Sequence, residues 1–413
     1  MAAIDRKLFL DILGFDSTSG AEGALADFLE KALAGPVSGG AAGSAAGPRS
    51  GSGASVDSGD SAGSCPAVSP RVQSWDVPEG GRNLLFSWGE PRVVFCTHID
   101  TVPPYIPPVF PEGICDFEKG RRQNRPKMLH PPVKNEGGAS KTAENASAPM
   151  TVFGRGACDA KGQIVALYAA CRQLAAEGLD GFGLLLLSGE ETGSWGAKAF
   201  AKTDFRAPYL IIGEPTEGKM VSACKGTKAF ELVFHGEAFH SGYPQFGHSA
   251  IDSFVDFVNA LRAVDFGTDP ELGPTTWNIG RLVSDNPQNV LSPELRCRLY
   301  FRTTFLSDAR VEEEVRRIAG MVAAPSGVRP SGSSIEVVAI GGDTPSRWFT
   351  IPGFEAAPAS FGSDAPHLTN FEHRAICGAG SIRFAHRPDE QVSLAELDEA
   401  AERYVAMFKA LQK

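Results

Sequence analysis

At 413 residues with 42% of them hydrophobic, the chain is too long for one ordinary domain and rich enough in apolar residues to bury two cores. Its net charge of −10 argues against a nucleic-acid partner, and no run of about 18 apolar residues points to a membrane span. The eight cysteines contain no CxxC pair, so they read as small core residues of a reducing compartment, not as a zinc ribbon or disulfide framework.

The N-terminal MAAIDRKLFLDILGF has acidic residues inside its apolar pattern. It lacks the core of a signal peptide, and a cytoplasmic protein is expected. Leu8, Leu10, Ile12 and Leu13 suggest an amphipathic helix, and GAEGALADFLEKALA a second one after the break at residues 16–20. Residues 35–64 are almost entirely Gly, Ala, Ser and Pro and read as a flexible insertion. Strands are predicted at 72–75 and 83–88, followed by the strand of VVFCTHIDTVPP. Pro103 and Pro104 end that strand and leave His98 and Asp100 at its tip.

A second polar insertion is predicted at 116–148, near the mouth of any site built on His98. The stretch GRGACDAKGQIVALYAACRQLAAE reads as a Gly-rich turn carrying Asp159 into a helix. FGLLLLSGEE is a buried strand ending in Glu190 and Glu191, and YLIIGEPTE another ending in Glu214. Apolar strands that each deliver a polar group at the C-terminal end predict an α/β fold with a mixed, largely parallel sheet flanked by helices, its site along one edge.

From residue 222 the texture changes to period-two strands at 230–234, 276–280 and 297–305, with helices at 250–264 and 309–322. This predicts an inserted α+β sandwich over 222–339, with 1–221 and 340–413 forming the other domain. The motif AHRPDEQV precedes a C-terminal helix at 394–411.

His98, Asp159, Glu191, Glu214 and His386 supply two imidazoles and three carboxylates. That set suits two divalent ions sharing one carboxylate, zinc foremost, with cobalt or manganese fitting as well. Adjacent glutamates at the tip of an apolar strand are costly without a cation. Glu190 is then the general base for an activated water, and Asp100 the partner that orients His98.

The segments THIDTVP, GRGACDAKGQ, SGEETGSWGA, IIGEPTEGK and AHRPDEQV, in this order, resemble the acetylornithine deacetylase/succinyl-diaminopimelate desuccinylase/carboxypeptidase G/aminoacylase family of dinuclear zinc metallopeptidases. The resemblance implies a zinc-exopeptidase-like catalytic domain with a lid and dimerisation domain. It implies that His98 and Glu191 bind different ions, that Asp159 bridges them, and that Glu214 and His386 complete one shell each. It also implies that His240 reaches an active site from the lid, across a homodimer in dimeric relatives, and stabilises the oxyanion. His248 is the competing histidine. Arg302 matches a lid arginine whose fork suits a substrate carboxylate. Asn289 resembles a substrate-binding asparagine, and Gly378 and Gly380 a loop lying against the substrate.

The implied reaction is hydrolysis of the amide bond of a small N-acylated amino acid. Glutamate at 214 tilts the reading to a deacylase, with a dipeptidase or carboxypeptidase acting on short peptides as the alternative. A binding scaffold of the same fold would have lost a ligand or the base, and neither is missing here.

Overall fold

The computed structural model describes residues 2–36, 69–110, 150–323 and 333–412. The two insertions predicted at 35–64 and 116–148 lie outside the described residues, apart from Gly35 and Pro36. The chain forms two compact units: Met1–Phe200 with Gly213–Gly218 and Gly378–Lys413, and Ala201–Ile212 with Lys219–Cys377. Packing thus draws the second unit wider than the 222–339 boundary suggested by sequence texture. The strand Ala207–Ile212 pairs in parallel with Phe371–Ile376, and Ala356–Ala359 in parallel with Met220–Cys224, which keeps these segments together.

In the first unit, four strands run in the order Arg71–Asp76, Arg82–Trp88, Phe182–Leu187, Val93–His98. The first two pairings are antiparallel and the last is parallel. All six residues of Val93–His98 and all six of Phe182–Leu187 are buried, as unbroken apolar runs require. Their register sets His98 opposite Leu187. The residues that follow each strand therefore emerge at the same sheet edge.

Helices cover this sheet. Lys161–Ala176 is buried on nearly every face, and Leu394–Leu411 packs beside it. Tyr404 meets Phe95 at 5.8 Å and Phe408 meets Phe182 at 5.6 Å between ring centroids. Each such fully buried ring contributes on the order of 2–3 kcal/mol. The C-terminal helix starts where its sequence says it should. The Ser393 hydroxyl accepts the Glu396 N–H at 3.1 Å and the Glu396 carboxylate accepts the Ser393 N–H at 2.9 Å, a reciprocal cap.

The second unit holds a four-stranded antiparallel sheet, ordered Thr276–Val283, Glu294–Thr303, Gly226–His235, Ser334–Gly341. Along Glu294–Thr303 every second residue from Leu295 to Thr303 is buried. Leu295, Cys297, Leu299 and Phe301 join Phe230, Phe234, Phe257, Val311 and Ile318 in one core with the helices Ala250–Arg262 and Asp308–Ala323. The fold class is the mixed α/β architecture with an α+β sheet-and-helix unit that the sequence predicts.

Candidate metal centre

The site is assembled at the sheet edge where Val93–His98 and Phe182–Leu187 end together. His98 is 2% exposed. Its Nδ1 lies 3.0 Å from the backbone carbonyl of Asp100, which fixes Nδ1–H as the donor and leaves Nε2 as the ligand nitrogen. That Nε2 is 3.1 Å from Oδ1 of Asp159. Asp159 sits at the turn before the helix Lys161–Ala176, and its peptide bond to Ala160 is cis. Its other oxygen, Oδ2, lies 3.3 Å from Nε2 of His386, which is also 3.0 Å from Oε1 of Glu191. One carboxylate thus stands between two imidazoles, and the second imidazole leads on to Glu191.

Strand pairing brings Asp159 and His386 together across more than two hundred residues. Thr151–Phe153 pairs with Gln391–Ser393, so the turns next to these two strands lie side by side. His386 adopts a left-handed backbone, φ 64°. For a side chain with a Cβ this costs about 1–3 kcal/mol and persists where the surroundings over-determine it, commonly at functional sites.

The electrostatics follow from crowding acids around imidazoles. Hydrogen bonds to Asp159 and Glu191 push His386 up to about 10, against the opposing effect of burial. Burial works against the charged form of His98, but hydrogen bonds to Asp100 and Asp159 outweigh it and hold His98 well above the ordinary imidazole range. Burial likewise works against the charge of Asp159, and the two histidines reverse the effect and hold it well below the usual carboxylate range. The cluster therefore draws positive charge to itself.

This donor set fits divalent cations. The ligand atoms of His98, Asp159 and Glu191 lie within 4.8 Å of one another, and cations there would replace the protons that the carboxylates otherwise pull onto the imidazoles. Glu214 is 5% exposed and follows the strand Ala207–Ile212. It is held at the same edge because the Gly213 N–H donates to the Cys96 carbonyl at 2.8 Å and Thr97 Oγ1 donates to the Gly213 carbonyl at 2.9 Å. It is not one of the residues in the tight three-ligand group.

Asp100 does more than the sequence suggests. Its Oδ1 is 3.4 Å from His98 Nδ1, but its nearer partners are the backbone N–H groups of Glu190 and Glu191, at 3.0 and 3.1 Å, and the Ser19 hydroxyl at 2.7 Å. Ser19 is held by the N-terminal segment, which bonds to both sides of Thr101: Ser19 N–H to the Thr101 carbonyl at 3.1 Å and Thr101 N–H to the Ser17 carbonyl at 3.0 Å. Residues 16–20, read from the sequence only as a helix break, therefore support the site.

Gln163 also supports the site. Its Nε2 donates to the carbonyls of Cys158 and Ala379, at 2.9 and 2.7 Å, and its Oε1 accepts the Ala379 N–H at 3.0 Å. It clasps the Asp159 turn to the loop 378–380. Gly378 is required there because a Cβ would sit 2.4 Å from the Glu214 carbonyl oxygen, and Gly380 because its φ is 74°. A glutamine opening a helix carries no sequence signal for either contact.

The other predicted residues belong to the second unit. His240 is exposed, and its Nδ1 accepts the Gly242 N–H at 3.0 Å. Asn289 lies beside it: the Ser241 N–H donates to the Asn289 carbonyl at 2.9 Å, and His240 bridges to Val290. The competing His248 is buried, with Nε2 at 2.6 Å from the Ser253 hydroxyl. Arg302 lies near the end of Glu294–Thr303, its guanidinium 5.2 Å from the Tyr300 ring centroid.

The buried imidazole of His98 and the exposed one of His386 converge with carboxylates at a strand edge of a mixed α/β sheet, a donor set able to hold divalent metal. The chain belongs to the peptidase family M20/M25/M40, whose family model matches residues 139–410. It is 30% identical over 343 residues to a protein of Aspergillus terreus named "Probable carboxypeptidase", covering 78% of this chain and 71% of that one. A similarly named protein of Aspergillus fumigatus is 31% identical over 366 residues, covering 82% and 76%. In fold the chain resembles a tripeptidase from Staphylococcus aureus, with TM-score 0.66 at 15% identity over 99% of this chain and 100% of that one. It also resembles a metallo-carboxypeptidase from Sulfolobus solfataricus, with TM-score 0.62 at 14% identity over 98% and 99%. Among the described residues no helix is long and apolar enough to cross a membrane.

Proposed function

We propose that this protein is a dinuclear-metal amide hydrolase that releases a carboxylate-bearing amino acid from an N-acyl group. The observation that carries the reading is the continuous run of contacts from His98 through Asp159 and His386 to Glu191. It supports Asp159 as the shared ligand, with His386 and Glu191 serving one ion and His98 the other; the family resemblance assigns Glu214 to the shell of His98. When bound, two divalent ions, zinc, cobalt or manganese, would polarise the scissile carbonyl and acidify a water.

The remaining work falls to the protein's own side chains. Glu190 follows the strand Phe182–Leu187, and its backbone N–H is fixed by Asp100. It takes a proton from the attacking water and later passes it to the leaving nitrogen. His240, with Asn289 beside it, stabilises the developing oxyanion, reaching the site of a second copy in a homodimer. Arg302 binds the substrate carboxylate with its guanidinium fork, and the loop at Gly378 and Gly380 lies along the substrate.

Two substrates fit this scheme: a small N-acetyl, N-succinyl or N-formyl amino acid, and a short peptide cut at its last bond. They present the same scissile amide next to a free carboxylate and differ only on the acyl side. Glutamate at 214 fits both and sets them apart from aminopeptidase-like branches, and the names of the Aspergillus relatives favour the carboxypeptidase. Metal-loaded protein is assayed against N-acyl amino acids and short peptides, each with a free or amidated terminal carboxyl. Turnover of the free-acid compounds and not of their amides is expected. Equal turnover of both would overturn the carboxylate requirement, and the preferred acyl side separates the two substrates.

A further inference from the structure

Glu390 is 1% exposed and Arg155 is 2% exposed, and none of the roles above uses either. Oε2 of Glu390 accepts from Nη1 of Arg155 at 2.6 Å. Oε1 accepts the backbone N–H groups of both Cys158 and Asp159, each at 3.2 Å. Arg155 reaches further: Nη1 donates to the Arg387 carbonyl at 3.3 Å and Nε to the Pro104 carbonyl at 3.3 Å. One buried ion pair thus touches three segments: the turn that carries Asp159, the turn just after His386, and the loop that follows His98 and Asp100.

A buried ion pair is a poor way to gain stability. Desolvating two charges costs several kcal/mol, and an apolar pair of the same volume is often as stable. What this pair supplies is geometry. The pairing of Thr151–Phe153 with Gln391–Ser393 brings the two turns together, but backbone ladders do not reach Asp159. The Asp159 N–H would be an unsatisfied buried donor without the Glu390 carboxylate. Losing it lets the 157–160 turn rotate and carries the Asp159 carboxylate away from one imidazole or the other.

We infer that Glu390 and Arg155 are positioning residues, which set the separation of Asp159 from His386 and thereby the affinity of the centre for divalent metal. The inference rests on the metal-centre reading above. It concerns how the ligands are held, not which residues they are.

The test titrates metal-free full-length protein with cobalt(II), followed by its absorption and by competition with a chelating dye. The parent, Glu390→Gln, Arg155→Lys and the surface control Lys409→Ala are compared. Glu390→Gln keeps the volume but cannot accept from both backbone N–H groups and Arg155 as an anion does. Arg155→Lys keeps the charge but loses the planar fork.

The parent and Lys409→Ala should take up cobalt alike. Glu390→Gln and Arg155→Lys should keep the parent's circular dichroism spectrum and bind about 10- to 100-fold more weakly. Their rise in melting temperature on adding metal should shrink, a change that a purely structural role would not produce. Cobalt affinities in the folded variants within twofold of the parent would overturn the positioning role and leave the metal centre standing. A parent that takes up no cobalt would overturn both. If Glu390→Gln does not fold, Arg155→Lys decides the matter on the same two outcomes.

Discussion

The carboxylate of Asp100 accepts the backbone N–H of Glu190 at 3.0 Å, while the backbone carbonyl of the same Asp100 lies 3.0 Å from His98 Nδ1. One residue therefore holds both a proposed metal ligand and the proposed general base, from opposite ends of its own structure. Hydrogen bonds from neutral donors to a charged carboxylate are among the stronger ones in a dry site. Asp100→Asn offers one oxygen where two N–H groups and the Ser19 hydroxyl now converge. We expect kcat to fall about 10- to 100-fold with little change in KM. A rise in KM at unchanged kcat would show that Asp100 serves binding and not the base.

Glu190 is assigned to proton transfer and not to the metals. Glu190→Gln should keep the fold and the metal content of the parent, measured by elemental analysis. Turnover should fall by about 100- to 10,000-fold or more. Hydrolysis at the parent rate would eliminate Glu190 as the base.

The strand tips were legible in the sequence because each combined an unbroken apolar run with an abrupt polar end. His98, Glu190, Glu191 and Glu214 stand at such ends, and alternation along Glu294–Thr303 gave the second unit's sheet. The strand predicted to reach residue 305 stops at Thr303, because the Ser307 N–H folds back onto the Thr304 carbonyl at 3.1 Å. Glu390, Arg155, Gln163 and Ser19 were not legible. Their importance comes from burial and from partners far away in sequence, and a charged or polar residue in a turn reads as solvated until its partners are known. The wider second unit rests on strand pairing over long separations, which sequence texture does not show.

Gly378 makes the coupling between loop and ligand testable. A Cβ at this position would lie 2.4 Å from the Glu214 carbonyl oxygen and 2.8 Å from its nitrogen, both backbone atoms that cannot swing aside. Gly378→Ala should cost about 1–3 kcal/mol of stability by urea unfolding. It should also weaken metal binding, because the strain falls on the Glu214 backbone. Loss of substrate affinity alone, with stability and metal binding intact, would place the glycine's role at the substrate only.

The proposed action of His240 across a dimer is decided by mixing. His240→Ala should lose most activity while binding metal as the parent does. Mixed with Glu190→Gln under conditions that exchange subunits, it should regain activity, because one site of the hybrid then has an intact His240 from one chain and an intact Glu190 from the other. No recovery in a demonstrated hybrid would show that both residues act from the same chain. Sedimentation across a dilution series gives the assembly state independently.

Lys161, two residues after Asp159, provides a pH signature in stability. Burial lowers its pKa to about 8, and its Nζ donates to the Phe15 carbonyl at 2.7 Å. In the unfolded chain a lysine keeps its proton up to its ordinary value near 10.5. Between these two values the unfolded state binds more protons than the folded state, so stability rises with pH. The full span corresponds to a contribution on the order of 3 kcal/mol. Below pH 8 both states are protonated and the contribution is flat. Lys161→Met removes the titration, so the stability of the parent relative to this variant should increase from pH 7 to pH 10.5, measured by urea unfolding at each pH. A difference that does not change with pH would mean that Lys161 keeps an ordinary pKa in the folded protein.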